Sequence, residues 1–285
     1  MTFIEEFELS MKRHDLSKNT IGSTLYDIKD LCDFLKTEPK NLTKDSINSI
    51  TEYQIETYIN YLKESFKSTT ALRRKVSLQK LLKFSGSDKI KFLSQEMKIK
   101  KVEPDTYFPT DEEVQELYED VMENGNPMQR LIMDIIKNTG MRIGEVEKLN
   151  VSDIDFEKLE IRLYDTKNHK DRKLPVNKKL VNHIKKYIKK DRYELREQFK
   201  KDGDALFVST KGRRHSGIGL LMRPFYNRHG FTTHGVRKQV STKIYKITGC
   251  DAKTTSHFMG NTPETLLKHY IKVDKEKLES IRKYI

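Results

Sequence analysis

Thr232-Thr233-His234-Gly235-Val236-Arg237-Lys238 and, downstream, Leu266-Leu267-Lys268-His269-Tyr270-Ile271 bound the stretch that decides the reading of this chain. His234 and Arg237 stand at i and i+3 on what should be the first turn of a helix, hence on one face, where both can reach the same phosphate. Tyr270 offers a phenol, which ordinarily loses its proton only near pH ~10 and is a poor nucleophile unless nearby cations stabilise the phenolate. Arginines supply that stabilisation and stay charged while doing so.

A second arginine is found upstream in Thr139-Gly140-Met141-Arg142-Ile143-Gly144-Glu145, just after a helix expected to end near Asn138. A guanidinium fork matches a phosphate bidentately and can hold developing oxyanion charge. Glu145 is placed to orient it. Lys167, on a hairpin turn between Asp165 and Pro175, puts an ammonium where it can protonate a departing alkoxide; Lys170 and Lys173 are rivals for that role. Taken singly, each residue has an ordinary structural reading: a helix end with a surface arginine, a solvated turn lysine, a satisfied histidine, a core tyrosine. Together they form a set able to attack a phosphodiester without a metal.

Composition agrees with a polyanionic partner. The 285 residues carry 55 Lys+Arg against 42 Asp+Glu, a net charge of +13, and each phosphate neutralised by such a surface releases condensed counterions. No segment approaches the roughly 18 consecutive apolar residues of a membrane span. The N-terminus, Met1-Thr2-Phe3-Ile4-Glu5-Glu6, lacks a basic region followed by an apolar core, so a cytoplasmic protein is expected. Cys32 and Cys250 are isolated, which suggests neither a disulfide framework nor a zinc site; no cofactor or metal is expected.

The predicted fold is mainly α with a small β-hairpin, in two domains. Residues 1–97 read as helices: Leu25, Ile28, Leu31, Cys32 and Leu35 recur with a period near 3.6, as do Ile55, Tyr58, Ile59 and Leu62. A further helix, marked by Leu72, Val76, Leu78, Leu81 and Leu82, opens after Ser68-Thr69-Thr70 and carries Arg73, Arg74 and Lys75 in its first turns. Cations there oppose the helix dipole, so they point either to a phosphate backbone or to a solvated face. Residues 98–110 lose periodicity and hold two prolines, as a linker does. Residues 111–285 form the second domain. Its helices are expected over about 111–123, 127–138, 143–149, 177–199, 216–227, 234–247, 251–258, 263–271 and 274–284. Leu159–Leu163 and Lys173–Val176 form the hairpin. Lys211, Arg213, Arg214, Arg223 and Arg228 are candidates for phosphate and groove contact.

The boxes around Arg142, Lys167, His234–Arg237 and Tyr270, in this order, resemble the tyrosine recombinase (phage-type integrase) family over about residues 108–271. A weaker match to its helical, SAM-like core-binding domain covers about 1–95. The resemblance implies that Arg142 and Arg237 clamp the scissile phosphate, with Glu145 supporting. Lys167, within Lys167-Asn168-His169-Lys170-Asp171-Arg172, protonates the leaving oxygen; His234 assists proton movement; Tyr270 is the nucleophile. In Met259-Gly260-Asn261, Asn261 stands where the family usually has histidine or tryptophan, keeping a donor but unable to carry a proton. Further implications are a 3′-phosphotyrosyl intermediate, a double-stranded DNA partner, no metal or nucleotide cofactor, and a tetramer on DNA joined through the tail Val273–Ile285. With no room expected for an additional arm-binding module, an Xer-like resolvase or mobile-element integrase is indicated. A type IB topoisomerase-like enzyme and a catalytically weakened DNA-binding relative are the alternatives.

Overall fold

A computed structural model describes residues 1–100, 107–164, 171–194 and 203–270. The chain divides into two compact units, Met1–Asp105 and Thr106–Ile285.

The first unit is helical: α1 (Phe3–Arg13), α2 (Lys18–Phe34), α3 (Lys44–Asn48), α4 (Glu52–Ser65), α5 (Ser68–Ser85) and α6 (Ile90–Gln95). Hydroxyl caps start the first four. Thr2 with Glu5 and Thr51 with Gln54 each form a reciprocal capping box, satisfying backbone donors that a helix start leaves bare. Phe7, Ile28, Leu31, Cys32, Tyr58 and Leu81 belong to one buried cluster that these helices share.

α5 has neither a side-chain cap nor an acidic residue in its first turn. Here the structure corrects the reading of its cations. Arg73 reaches Asp27 on α2 at 2.6 Å, and Arg74 pairs with Asp30 while lying 3.8 Å above the Phe66 ring. Arg74 is only 6% exposed and Lys75 is also buried, whereas Val76, expected in the core, is 46% exposed. The buried face of α5 is therefore rotated from the apolar pattern: Arg74 turns inward to Asp30, while Arg73, its side chain 43% exposed, meets Asp27 from the surface. Burial, followed by the nearby Lys63, holds the Lys75 ammonium below its usual pKa.

In the second unit, α7 (Asp111–Asn124) and α8 (Pro127–Thr139) are followed by the short α9 (Ile143–Lys148). α8 is central; Leu131, Ile132, Met133, Ile135 and Ile136 are all buried. It stops at Gly140, which has φ +61°; a Cβ there would come within 2.8 Å of Met259 Cε, so both conformation and space call for glycine.

The predicted hairpin is present as β2 (Glu160–Leu163) and β3 (Arg172–Pro175), antiparallel with Ile161 opposite Leu174 and Leu163 opposite Arg172. A two-residue strand, β1 (Ile154–Asp155), extends the sheet in the order β1-β2-β3; it is too short to show alternation. Ile161, Leu163, Arg172 and Leu174 point inward.

Then come α10 (Lys178–Tyr187), prolonged by a π-helical turn over Ile188–Arg192, α11 (Ile218–Arg228), α12 (Thr233–Ile247), α13 (Ala252–Met259) and α14 (Pro263–His269). The turn carrying Lys167, residues 101–106 of the expected linker, the end of the helix predicted to reach 199 and the helix predicted over 274–284 lie outside the described residues. Among the described residues, no helix is long and apolar enough to cross a membrane.

Candidate active site

Residues distant in sequence converge where α8 ends, α9 and α12 begin, and α13 gives way to α14. Arg142 is the N-cap of α9. Its backbone N–H donates to Glu145 Oε2 at 2.8 Å and its Nη1 to Glu145 Oε1 at 3.0 Å, so the carboxylate three residues on fixes both ends of the arginine. Its Nη2 donates to Gly260 O at 2.9 Å and to Asn261 Oδ1. Arg142 thus extends from the α9 cap to the α13–α14 junction.

Arg237 approaches that junction from α12. It is 1% exposed and donates to the carbonyls of Gly140 and Met259; a third bond reaches Asn261 Oδ1 at 3.2 Å. Both helices preceding these carbonyls end at left-handed glycines, Gly140 and Gly260. Their unsatisfied C-terminal carbonyls are therefore available to a guanidinium. Burial and then the Arg142 charge weaken the Arg237 cation's hold on its proton, while Tyr270 and Glu145 oppose them.

Tyr270, 5% exposed, follows α14 and donates its backbone N–H to Leu266 O at 2.9 Å. Its own carbonyl accepts from Thr242 Oγ1 of α12 at 3.0 Å. Its ring centre is 5.3 Å from Arg237 Cζ and 5.1 Å from the His234 ring, which meets it edge-on at 62°. His234 has its pKa lowered, first by burial and then by Lys238, Arg237, Arg142 and His269, which favours the neutral imidazole.

The structure thus brings together Arg142, Glu145, His234, Arg237, Asn261 and Tyr270. Asn261 differs from its sequence expectation: its oxygen is the shared acceptor of both guanidinium groups, while Nδ2 is buried without a partner among the described residues. Arg237 Nε is also buried without an acceptor among the described residues. Two cations sharing the Asn261 oxygen, with buried N–H groups on Asn261 and Arg237, have the chemistry to hold an anion, since buried donors normally find acceptors.

The basic residues outside this cluster divide. Lys211, Arg213 and Arg223 are exposed. Arg214, also exposed, donates to Glu147 O and Leu149 O at 3.0 Å each, and the exposed Arg228 pairs with Asp120 at 2.7 Å.

Sequence reasoning gave Arg172 no role. Its side chain, 5% exposed, donates through Nη2 to both oxygens of Glu145 at 3.0 Å. Burial alone would raise the Glu145 pKa; Arg172, the Arg142 N–H and Arg237 outweigh it and hold the carboxyl below its usual range. A charged residue at an inward position of a strand, alternating with Leu174, was the available signal.

A mainly helical fold in which two arginines meet at one asparagine oxygen beside a buried phenol points to the class, and comparison supplies the family. The pattern of the phage integrase family matches residues 107–277, and the chain belongs to that family, as a tyrosine-type site-specific recombinase. It is 27% identical over 249 residues to a protein named tyrosine recombinase XerA from Pyrococcus furiosus, spanning 85% of this chain and 82% of that one. The fold is similar to the Tn1549 transposon integrase in complex with transposon right end DNA, with a TM-score of 0.69 and 17% identity over 100% of this chain and 99% of that chain. It is also similar to a lambda integrase tetramer bound to a Holliday junction, with a TM-score of 0.66 and 16% identity over 94% and 76% of the two chains.

Proposed function

We propose that this recombinase cleaves and rejoins duplex DNA through a covalent bond between Tyr270 and the 3′ side of the broken strand. The observation that carries the reading is Arg237, a buried cation set against the Tyr270 ring and joined to Arg142 through one Asn261 oxygen.

A scissile phosphate enters between Arg142 and Arg237, whose preorganised donors face the charge that develops on its non-bridging oxygens. The Tyr270 oxygen attacks phosphorus, and His234, neutral near pH 7, accepts the phenol proton. The bond from phosphorus to the 5′ oxygen breaks, leaving a 3′-phosphotyrosyl ester. Lys167 gives its proton to the departing 5′ oxygen. Asn261 Nδ2 donates to a phosphate oxygen. A 5′-hydroxyl from a partner strand then attacks the ester and releases Tyr270. One phosphoester replaces another at each step, so no nucleotide cofactor is consumed.

Binding is spread over Lys211, Arg213 and Arg223, with the helical first unit as a second DNA-contacting domain. The DNA-bound transposon integrase of the same fold supports a DNA partner, and the lambda integrase tetramer supports assembly as a tetramer. Docking of the tail Val273–Ile285 on a neighbouring protomer belongs to the same proposal.

The test is to incubate the full chain with a pool of random-sequence duplexes and recover protein–DNA adducts that survive denaturation. Adducts with the wild type and none with Tyr270→Phe support the reading; adducts with both, or with neither, overturn it. Strand exchange between two differently labelled copies of a recovered duplex separates recombination from resealing of the same strand.

A further inference from the structure

We propose that Arg172, the first residue of β3, is a positioning residue that holds Arg142 in its phosphate-binding pose by acting on both of that arginine's protein anchors. This inference rests on the reading that Arg142 grips the reacting phosphate.

Away from Asn261, the Arg142 guanidinium is held by two acceptors, Glu145 Oε1 at 3.0 Å and Gly260 O at 2.9 Å. Arg172 touches both anchors. Its Nη2 lies 3.0 Å from each Glu145 oxygen. Its guanidinium also occupies the space beside Gly260, where a Cβ would overlap Nη1 and Cζ. Gly260 has φ +66°, so glycine serves there twice: it permits the left-handed turn and leaves room for the arginine. The segment carrying the Gly260 carbonyl therefore packs directly on Arg172.

A lone carboxylate three residues from Arg142 could swing between rotamers. One clamped by a buried guanidinium cannot, and a fork geometry does this better than an ammonium. The groups that face Glu145 are Arg142 from its own helix cap, Arg172 from β3 and Arg237 from α12. All are cations, and Arg172 is the one that bonds both oxygens of the carboxylate through a buried side chain. Because Arg172 begins β3, the placement of the hairpin strand is transmitted to Arg142.

The test uses the full chain and a duplex on which the wild type forms a tyrosyl adduct, with the single-turnover rate at saturating DNA measured from pH 5 to 8. Arg172→Gln should slow adduct formation by about tenfold to a hundredfold, as small misplacements of catalytic groups do, with unchanged DNA affinity. The loss should deepen as pH falls, because Glu145, no longer facing Arg172, takes up a proton at higher pH. Glu145→Gln should be slow without that added pH dependence, and Arg172→Gln/Glu145→Gln no slower than Glu145→Gln. If Arg172→Gln does not fold, Arg172→Lys keeps the charge and loses the fork; a slower rate with a wild-type pH profile then supports the proposal. A wild-type rate and profile in the folded Arg172 variant, or a double variant whose defect is the product of the two singles, overturns it. Tyr270→Phe run alongside separates the two failures: if it still forms adducts, the proposed function falls; if it forms none and Arg172 is silent, only the positioning role falls.

Discussion

Arg237 Cζ lies 5.3 Å from the centre of the Tyr270 ring, and this pairing joins α12 to the residue following α14. The contact sets a cation against the proposed nucleophile before any DNA arrives. Preorganisation of this kind costs nothing at the moment of reaction, which is why its removal is expensive.

Arg237→Ala should therefore raise the cleavage barrier by about 2.7–4 kcal/mol, the usual effect of losing one oxyanion donor. Arg142→Ala should do the same. Duplex affinity should change little, because it is distributed over many backbone contacts. Single-turnover adduct formation beside equilibrium binding checks this; a parallel loss of binding and cleavage would contradict it.

Asn261→Asp places a carboxylate oxygen where the amide oxygen meets Arg142 and Arg237. Charge-assisted bonds are stronger than neutral ones, so unfolding stability should rise by about 1 kcal/mol. Cleavage should fall, since the site is then neutralised from within. Thermal melting and adduct yield should move in opposite directions.

His234 has its folded-state pKa below the ordinary 6.5. Above that value the group is neutral in both states and contributes no pH dependence. As pH falls below 6.5 the unfolded chain binds the proton first, so stability is lost through that window. Denaturant unfolding of wild type against His234→Gln between pH 7 and 5 should show a smaller decline in the variant.

In the first unit, Arg74→Ala strips a buried partner from Asp30 and from the neighbourhood of Asp27. Breaking one side of a buried pair costs about 3–5 kcal/mol. Hydrogen exchange in α2 and α5 should speed up accordingly. If Arg74 instead served as a phosphate contact, substitution would weaken DNA binding and leave exchange unchanged.

Much of the fold was legible because its signals are local. Capping boxes at Thr110 with Glu113 and Asn126 with Gln129 mark the starts of α7 and α8, and a two-residue alternation marks β2. β1 escaped because two residues carry no period. The α5 face was misjudged because Asp27 and Asp30, on another helix, decide where its arginines point.

The sequence by itself determined the helical class, the hairpin and the residue types from which an attack on phosphate is proposed, since period, caps and side-chain chemistry are written along the chain. Only tertiary structure decided that Asn261 bridges two arginines through its oxygen, that Tyr270 lies against Arg237, and that Arg172 clamps Glu145 beside Gly260. The physical reason is that each of these relations joins separate elements across a turn or strand, where distance and burial arise from packing that no local pattern encodes.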